Sequence, residues 1–166
     1  MHKEIGFVGL GRMGAAMAAH LVEEGYTVHG FDVSEEARET SKDSGVTVHD
    51  SYESLVGALT TSRVMWLMVP SKFVDDALSS LLPLMNESDT IIDGGNSFFK
   101  ESLRRHKELD AVGIHFLDCG TSGGVEGARH GASLMVGGSE VLFEEHEHFF
   151  KSLATENGYG HVGGPG

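Results

Sequence analysis

The residues best suited to chemistry lie in short glycine-rich clusters that follow apolar runs. The run Ile5–Val8 leads into Gly-Leu-Gly-Arg-Met-Gly, a G-x-G-x-x-G spacing that opens a segment of helical periodicity. A later apolar run ends in Asp32. In this context the spacing predicts a dinucleotide site. Gly9 permits a tight turn, Gly11 lets the backbone approach a pyrophosphate, and Gly14 lets the helix pack closely on the strand.

Asp32 indicates which dinucleotide this site would take. A carboxylate at the end of the second strand accepts hydrogen bonds from the adenosine ribose hydroxyls, and its charge repels a 2′-phosphate. No arginine follows at once, since the next residues are Val-Ser-Glu-Glu. The pattern therefore favours NAD over NADP. A plain strand-to-helix turn and a solvated strand-end acid are the alternatives, and Arg12 is either a phosphate contact or a surface charge.

Three further strand ends carry polar residues. Val69–Ser71 follows the fourth apolar run, Asn96 follows Asp-Gly-Gly after the fifth, and Ser122 precedes two glycines after the sixth. Ligands of an open parallel sheet bind beyond the carboxyl ends of its strands, so Val69–Ser71 is predicted to border the cofactor. Taken alone, Asn96 and Ser122 are ligand contacts or residues of an Asx turn or helix cap.

Other reactive side chains give weaker signals. The chain has ten histidines, but His146 and His148, two positions apart on a helix, face different ways. Metal-ligand spacing is also absent at His106, His115, His130 and His161, so no metal site is predicted. Cys119 has no histidine partner placed by sequence and is interpreted as a buried bystander rather than a nucleophile. Lys100 and Lys151 lie in helical segments without motif support.

Length and charge limit the kind of protein. The chain has 166 residues, the size of one domain, and 12 Lys and Arg against 25 Asp and Glu, for a net charge of −13. This balance argues against nucleic-acid and anionic-membrane partners, which need a basic surface. The sequence shows no signal peptide and no apolar run of membrane-spanning length, and a lone cysteine forms no internal disulfide. A soluble cytoplasmic domain is expected.

The elements that must position these residues alternate between strand and helix. The pattern predicts one α/β domain, a Rossmann doubly wound and mainly parallel sheet, with extra strands after the sixth. Serines preceding helical runs are predicted N-caps, at positions Ser34, Ser71, Ser97 and Ser139. The strands are predicted at 5–8, 27–32, 46–48, 63–69, 90–93, 115–118, 133–136 and 158–162. The helices are predicted at 13–24, 35–42, 52–59, 73–85, 98–109 and 140–153.

Together these motifs resemble a known family. Gly-Leu-Gly-Arg-Met-Gly, Ile-Ile-Asp-Gly-Gly-Asn-Ser, Thr-Ser-Gly-Gly-Val-Glu-Gly-Ala-Arg and Ser-Leu-Met-Val-Gly-Gly are similar to the N-terminal, NAD(P)-binding part of 6-phosphogluconate dehydrogenase. The resemblance covers essentially all of residues 1–166. Asp32 departs from the NADP-linked long form, which carries Asn-Arg-Thr here, so the sequence is more similar to the shorter, NAD-preferring bacterial type.

The resemblance implies a role for each matching position. The parent enzyme would oxidise 6-phosphogluconate and decarboxylate it to ribulose 5-phosphate. Asn96 would lie between nicotinamide and substrate, and Ser122, Gly123 and Gly124 would bind 6-phosphogluconate. The expected cofactor contacts are Gly9, Leu10, Gly11, Arg12, Met13, Gly14, Asp32, Val33, Ser34, Val69, Pro70, Ser71 and Asn96.

The resemblance also implies what these residues lack. In the family the catalytic lysine and glutamate lie beyond the Gly-Gly-Pro-Gly turn, in an all-helical C-terminal domain through which the subunits assemble as a homo-oligomer. No residue of this chain matches them, so the chain is expected to bind NAD yet be inactive alone. The alternatives are a β-hydroxyacid dehydrogenase of the 3-hydroxyisobutyrate type, in which a Ser/Thr-rich segment usually replaces Asp-Gly-Gly-Asn-Ser, and a stand-alone nucleotide-sensing module.

Overall fold

The computed structural model describes residues 3–166, which form one eight-stranded sheet flanked by helices. The sheet order is β3-β2-β1-β4-β5-β6-β7-β8, and every neighbouring pair is parallel except β6 and β7. The strands are β1 (Glu4–Val8), β2 (Thr27–Phe31), β3 (Thr47–Val48), β4 (Val64–Leu67), β5 (Thr90–Asp93), β6 (His115–Ser122), β7 (Ala132–Gly137) and β8 (Ala154–Gly163). The helices are α1 (Arg12–Glu23), α2 (Glu35–Lys42), α3 (Tyr52–Ala58), α4 (Val74–Leu81), α5 (Phe99–Asp110), α6 (Gly124–His130) and α7 (Glu140–Leu153).

The strand order places a crevice at the carboxyl end of β1. From β1 the chain moves outward through β2 to β3, then returns to the other side of β1 at β4. At such a switch point the connections leave in opposite directions, and ligands bind between them. The predicted Rossmann fold, with extra strands after the sixth, is confirmed.

Both faces of the sheet are covered, which explains why its strands are nearly continuous apolar runs. One core lies under α1 and α7 and includes Phe7, Trp66 and Phe150, each fully buried. Phe7 and Trp66 stack with ring centroids 5.9 Å apart. The other core lies under α3, α4 and α5 and includes Met65. Trp66 and Met65, adjacent on β4, thus pack into opposite cores.

The structure corrects the prediction after the fifth strand. β6 continues to Ser122 rather than stopping at Asp118, because its polar end pairs with β7, Ser122 opposite Ser133. The helix α6 was not predicted, since its Gly-Val-Glu-Gly-Ala-Arg-His sequence has no apolar periodicity. It packs on α1 through the buried Ala128 and an ion pair from Arg129 to Glu23. β8 starts four residues earlier than predicted, with a polar, exposed beginning.

The predicted helix caps are only partly right. Ser34 caps α2 by accepting a hydrogen bond from the Ala37 amide at 3.3 Å. Ser139 is the N-cap of α7 without a side-chain bond, and Ser71 lies inside a short 3-10 turn that precedes α4. Ser97 does not cap α5, because its hydroxyl donates to the Asp93 carboxylate at 2.6 Å. The predicted helix over 73–85 is likewise divided into that turn, α4 and a second turn at Leu82–Leu84.

None of the helices in residues 3–166 is long and apolar enough to cross a lipid bilayer.

Candidate functional site

The three glycines of the β1–α1 loop meet different surroundings. Gly9 adopts φ +97°, and a side chain there would stand 2.6 Å from the Met68 carbonyl oxygen. A methyl group on Gly14 would lie 1.9 Å from the Gly9 carbonyl oxygen. A methyl group on Gly11 would meet nothing within 4 Å. The loop is therefore closed at Gly9 and Gly14 and open at Gly11, where a ligand can approach the backbone.

The start of α1 is suited to an anion. Gly11 is its N-cap and carries no side chain that could bond the first amides of the helix, and its first turn contains no acidic residue. Such a terminus combines free N–H groups with the positive end of the helix dipole. Arg12 is exposed at this terminus, whereas Leu10 is buried and Met13 packs on the core, so their contribution to a ligand would come from the backbone.

The Asp32 carboxylate is fixed in place beside this loop. One oxygen accepts the Leu10 amide at 2.7 Å and the other accepts the Ser34 amide at 2.8 Å. The guanidinium of Arg38 donates to the main-chain carbonyl of Asp32 at 2.6 Å. Sequence reasoning missed Arg38, which lies six residues after Asp32, one turn into α2, and carries no motif signal. A carboxylate oxygen takes more than one donor, so both oxygens keep acceptor capacity for a ligand.

A cavity of about 480 Å³ extends from the glycine loop past Asp32 to α4. Six of its lining residues were not predicted. Four of the six, Phe73, Asp76, Ala77 and Ser80, follow β4 at the helical spacing i, i+3, i+4 and i+7, which is the signal that could have found them. The predicted lining residues are Gly9, Gly11, Asp32, Val33, Val69 and Pro70, and the unpredicted ones are Tyr52, Met68, Phe73, Asp76, Ala77 and Ser80.

Tyr52 is the polar aromatic group of this cavity. Its ring packs against Phe31 with centroids 4.5 Å apart. Burial raises the pKa of the Tyr52 phenol, and the carboxylates of Asp32 and Asp76 raise it further. The phenol is therefore neutral at physiological pH and lies in the field of both carboxylates.

The end of β5 is built around a buried ion pair. Asp93 accepts bonds from the Gly95 amide at 2.9 Å and the Ser97 hydroxyl at 2.6 Å. Arg105 is 3% exposed, lies 3.5 Å from the Asp93 carboxylate, and donates to Ser97 at 2.9 Å. The Nε of Arg105 also donates to the exposed carboxylate of Asp75 at 2.8 Å. This bond, together with one from Arg104, lowers the pKa of the Asp75 carboxyl. The turn that carries Asn96 thus rests on α4 and α5, and sequence reasoning missed Arg105.

Asn96 pairs with the main chain of β6. Its Nδ2 donates to the Thr121 carbonyl at 3.1 Å, and its Oδ1 accepts the Thr121 amide at 2.9 Å. The residue has φ +53°, a left-handed conformation that Asn tolerates better than most residues. One amide proton and one lone pair remain for a ligand. The bond places Asn96 beside Ser122–Gly124, so the structure brings these predicted substrate residues together.

The turns after β4 and β5 also meet each other. A side chain on Gly95 would stand 2.7 Å from the Val69 carbonyl oxygen, so the cavity of about 480 Å³ that Val69 lines adjoins the Asn96 turn. Ser71 lies apart from that cavity, in a recess of about 240 Å³ beside Ser97 and Arg105. Of the predicted cofactor residues, Val69 and Pro70 therefore line the larger cavity and Ser71 lines the recess beside it.

A smaller cleft of about 210 Å³ lies between the ends of β5 and β6 and includes Asn96 and Asp118. Asp118 accepts the Gly166 amide at 2.8 Å. Burial raises the pKa of the Asp118 carboxyl, and the Gly166 bond opposes part of that rise.

The sequence also singled out Cys119 and two histidines of α7. Cys119 is buried, as predicted, and burial raises the pKa of its thiol to about 12. His146 bonds to Thr90 on β5, whereas His148 contacts Tyr26, so the two rings diverge as predicted. Across residues 3–166, no group of three or more His, Cys, Asp or Glu side chains is arranged to hold a metal ion.

Comparisons with known proteins agree with this geometry. The family model described as the NAD binding domain of 6-phosphogluconate dehydrogenase matches residues 4–163. The NAD(+)-dependent, decarboxylating 6-phosphogluconate dehydrogenase of Haloferax volcanii is 42% identical over 165 residues, covering 98% of this chain. The chain spans only 54% of that protein, about half its length.

Solved structures give the same fold in two enzyme types. The 3-hydroxyisobutyrate dehydrogenase of Mycobacterium tuberculosis, solved with L-serine, matches with a TM-score of 0.91 and 29% identity, covering 99% of this chain and 56% of that one. The 6-phosphogluconate dehydrogenase of Plasmodium falciparum, studied with NADP+ and with 6-phosphogluconate, matches with a TM-score of 0.88 and 27% identity. It covers 98% of this chain and 37% of that one.

Proposed function

The chain belongs to the family of 6-phosphogluconate dehydrogenase NAD-binding domains, and from this premise we propose that it binds NAD in preference to NADP. We further propose that it is the dinucleotide domain of a protein that oxidatively decarboxylates 6-phospho-D-gluconate to ribulose 5-phosphate and CO2. Bound NAD would accept the hydride from sugar carbon C3 as the C3 hydroxyl is oxidised.

The loop residues fit a pyrophosphate. The open face at Gly11 leaves room for phosphate oxygens beside the first amides of α1, while Gly9 and Gly14 keep the loop close to the sheet. Arg12 lies exposed at the same helix end and adds a positive charge to it. The chain's own contribution here is to bind and orient the dinucleotide.

The fixed carboxylate of Asp32 is the observation that carries the NAD preference. Its two anchoring amides hold it at the mouth of the cavity, where the adenosine ribose would lie. A carboxylate accepts hydrogen bonds from ribose hydroxyls and repels a 2′-phosphate. The guanidinium of Arg38 donates to the main-chain carbonyls of Asp32 and Val33 rather than to the Asp32 carboxylate, so it leaves both carboxylate oxygens facing the ligand.

Calorimetry with NAD and NADP tests this preference. We expect the chain to bind NAD at least about tenfold more tightly, and Asp32→Asn to remove most of that difference by abolishing the repulsion while keeping an acceptor. Glu36→Gln, which removes an equal charge from the exposed first turn of α2, serves as the matched control and should keep the preference. Tighter binding of NADP by the unmodified chain would refute the assignment of Asp32.

On the substrate side, the proposal rests on the pairing of Asn96 with β6. With half of its amide bonded to Thr121, the other half can orient a hydroxyl or the nicotinamide carboxamide. Ser122 offers an exposed hydroxyl, and Gly123 and Gly124 offer backbone amides for the sugar carboxylate. We propose that the lysine and glutamate needed for proton transfer come from sequence after Gly166 in the longer protein, whose helical part would also carry the subunit contacts.

A second candidate activity is that of a β-hydroxyacid dehydrogenase, favoured by the likeness to the Mycobacterium tuberculosis enzyme. The two proposals differ in substrate, so the protein extended past Gly166 should be assayed with NAD and either 6-phosphogluconate or 3-hydroxyisobutyrate. Reduction of NAD with 6-phosphogluconate and release of CO2 are expected. Turnover of 3-hydroxyisobutyrate alone would favour the second candidate.

A further inference from the structure

The cavity of about 480 Å³, in which NAD is proposed to bind, ends at two oxygen-bearing side chains on α4. Asp76 and Ser80 are four residues apart, on one face of the helix, and both line the cavity that begins at Gly9 and Gly11. A nucleotide with its phosphate at Gly11 and its ribose at Asp32 must place its base in the remaining part of this cavity. That part is otherwise largely apolar, so the two α4 side chains supply much of its polarity.

Both groups act as hydrogen-bond acceptors. The Ser80 hydroxyl donates its proton to the Asp76 main-chain carbonyl at 3.1 Å, which leaves only its oxygen lone pairs for a ligand. A carboxylate such as that of Asp76 is acceptor-only when ionised.

We propose that Asp76, assisted by Ser80, makes the site selective for a base that carries an exocyclic amino group, adenine rather than hypoxanthine. This inference rests on the proposed binding of NAD. The amino group of adenine offers protons to these acceptors, whereas hypoxanthine presents a carbonyl oxygen at the same position. The Asp76 carboxylate and the hypoxanthine carbonyl oxygen are both acceptors, so the hydrogen bond is lost and the two oxygens repel each other. Sites that form a hydrogen bond to one base discriminate between bases more strongly than apolar sites do.

Hypoxanthine also carries an N1–H group, which would donate a hydrogen bond to the Asp76 carboxylate if the base shifted by one ring position. The bonds that hold Asp32 to Leu10 and Ser34 oppose that movement by fixing the acceptor for the ribose. Because Asp76 is exposed at the rim, we expect discrimination near the lower end for a charged hydrogen bond, about tenfold in Kd.

The test compares NAD with nicotinamide hypoxanthine dinucleotide by calorimetry at fixed salt. The unmodified chain should bind NAD about tenfold more tightly. Asp76→Asn, which adds a donor, should bring the ratio close to one, and Ser80→Ala should lower it in part. Asp110→Asn removes an equal charge at the far end of α5, and Ser79→Ala removes a hydroxyl that bonds the helix backbone in the same way outside the cavity. Both controls should keep the ratio.

The outcomes separate the two proposals. If neither dinucleotide binds the unmodified chain, the proposed function fails. If both bind it with equal affinity, or the hypoxanthine form binds more tightly, NAD binding stands and the base selectivity is refuted. A selectivity that persists in Asp76→Asn and Ser80→Ala would also overturn the assignment to these side chains.

Discussion

In the glycine loop, Gly→Ala substitutions at two positions should have separate effects, one on stability and the other on ligand binding. In Gly14→Ala the new carbon would lie 1.9 Å from the Gly9 carbonyl oxygen, more than an ångström inside the 3.0 Å below which real Cβ contacts essentially do not occur. The neighbouring atoms are the Gly9 carbonyl group and the Cβ of Met68 at 3.2 Å, which cannot rotate away. In Gly11→Ala the same methyl group meets nothing within 4 Å.

The expected cost follows from these contacts. Overpacking of a tight site costs about 1–3 kcal/mol, and a 1.9 Å contact with backbone belongs at the top of that range. The helix propensity of Ala returns up to about 1 kcal/mol, so Gly14→Ala should lose about 2 kcal/mol. An unfolding entropy near 2.1 cal/mol/K per residue converts this into a fall in Tm of about 6 °C for a chain of this length. Gly11→Ala should change stability by less than about 1 kcal/mol, yet weaken NAD binding about tenfold or more by displacing the phosphate from its amides.

Thermal unfolding followed by circular dichroism measures the first effect, and calorimetry with NAD measures the second. Gly57→Ala is the matched control, since this exposed glycine of α3 also has nothing within 4 Å of an added methyl group. It should leave binding unchanged and raise Tm slightly. The reasoning is refuted if Gly14→Ala melts with the unmodified chain, or if Gly11→Ala loses stability while keeping its affinity for NAD.

Three further predictions concern buried groups. Arg105→Met should destabilise the chain by about 3–5 kcal/mol in urea unfolding, because it leaves the Asp93 carboxylate buried without its cation; adding Asp93→Asn should recover part of that loss, and strict additivity would contradict the coupling. Asp118 has a raised pKa in the folded state, so its ionised form costs stability above that pKa; Asp118→Asn should be more stable than the unmodified chain at pH 8, with a difference that shrinks as the pH falls toward 4, and a difference that grows on acidification would reverse the sign. Cys119, with a thiol pKa of about 12, should react with a thiol reagent at pH 8 only after unfolding in guanidinium, and rapid reaction in buffer would contradict its burial.

The parts of the fold that sequence predicts well are those with local signals. The G-x-G-x-x-G loop and the apolar runs through β1, β2, β4 and β5 are such signals, because glycine conformation and apolar patterning act over a few residues. The helix α6 was missed because its packing depends on α1, more than 100 residues earlier, through Arg129 and Glu23. The extension of β6 was missed for a similar reason, since β7 supplies its hydrogen bonds.

The site divides in the same way. Asp32 and Asn96, which lie inside motifs, are predicted as ligand contacts from the sequence alone, whereas Arg105 and Asp76 carry no such local signal. Arg105 looks like any helical surface charge until tertiary packing buries it against Asp93. Asp76 acquires its position only because α4 begins beside the cavity. Sequence therefore indicated where a ligand would be held, and the structure added the groups that surround and support it.

Variants of Asn96 would change the sheet as well as the ligand site. Its carboxamide exchanges an N–H and a C=O bond with Thr121, as a peptide group of a neighbouring strand would, and so adds one rung to the sheet beyond the last residue of β5. Removing it would leave a buried strand amide without its acceptor and would loosen the edge that carries Ser122. A loss of activity on substituting Asn96 would thus combine a lost ligand contact with a changed backbone. Replacing the main-chain amide of Thr121 by an ester removes the N–H that Asn96 accepts but keeps the Asn96 side chain, so it would separate the two effects.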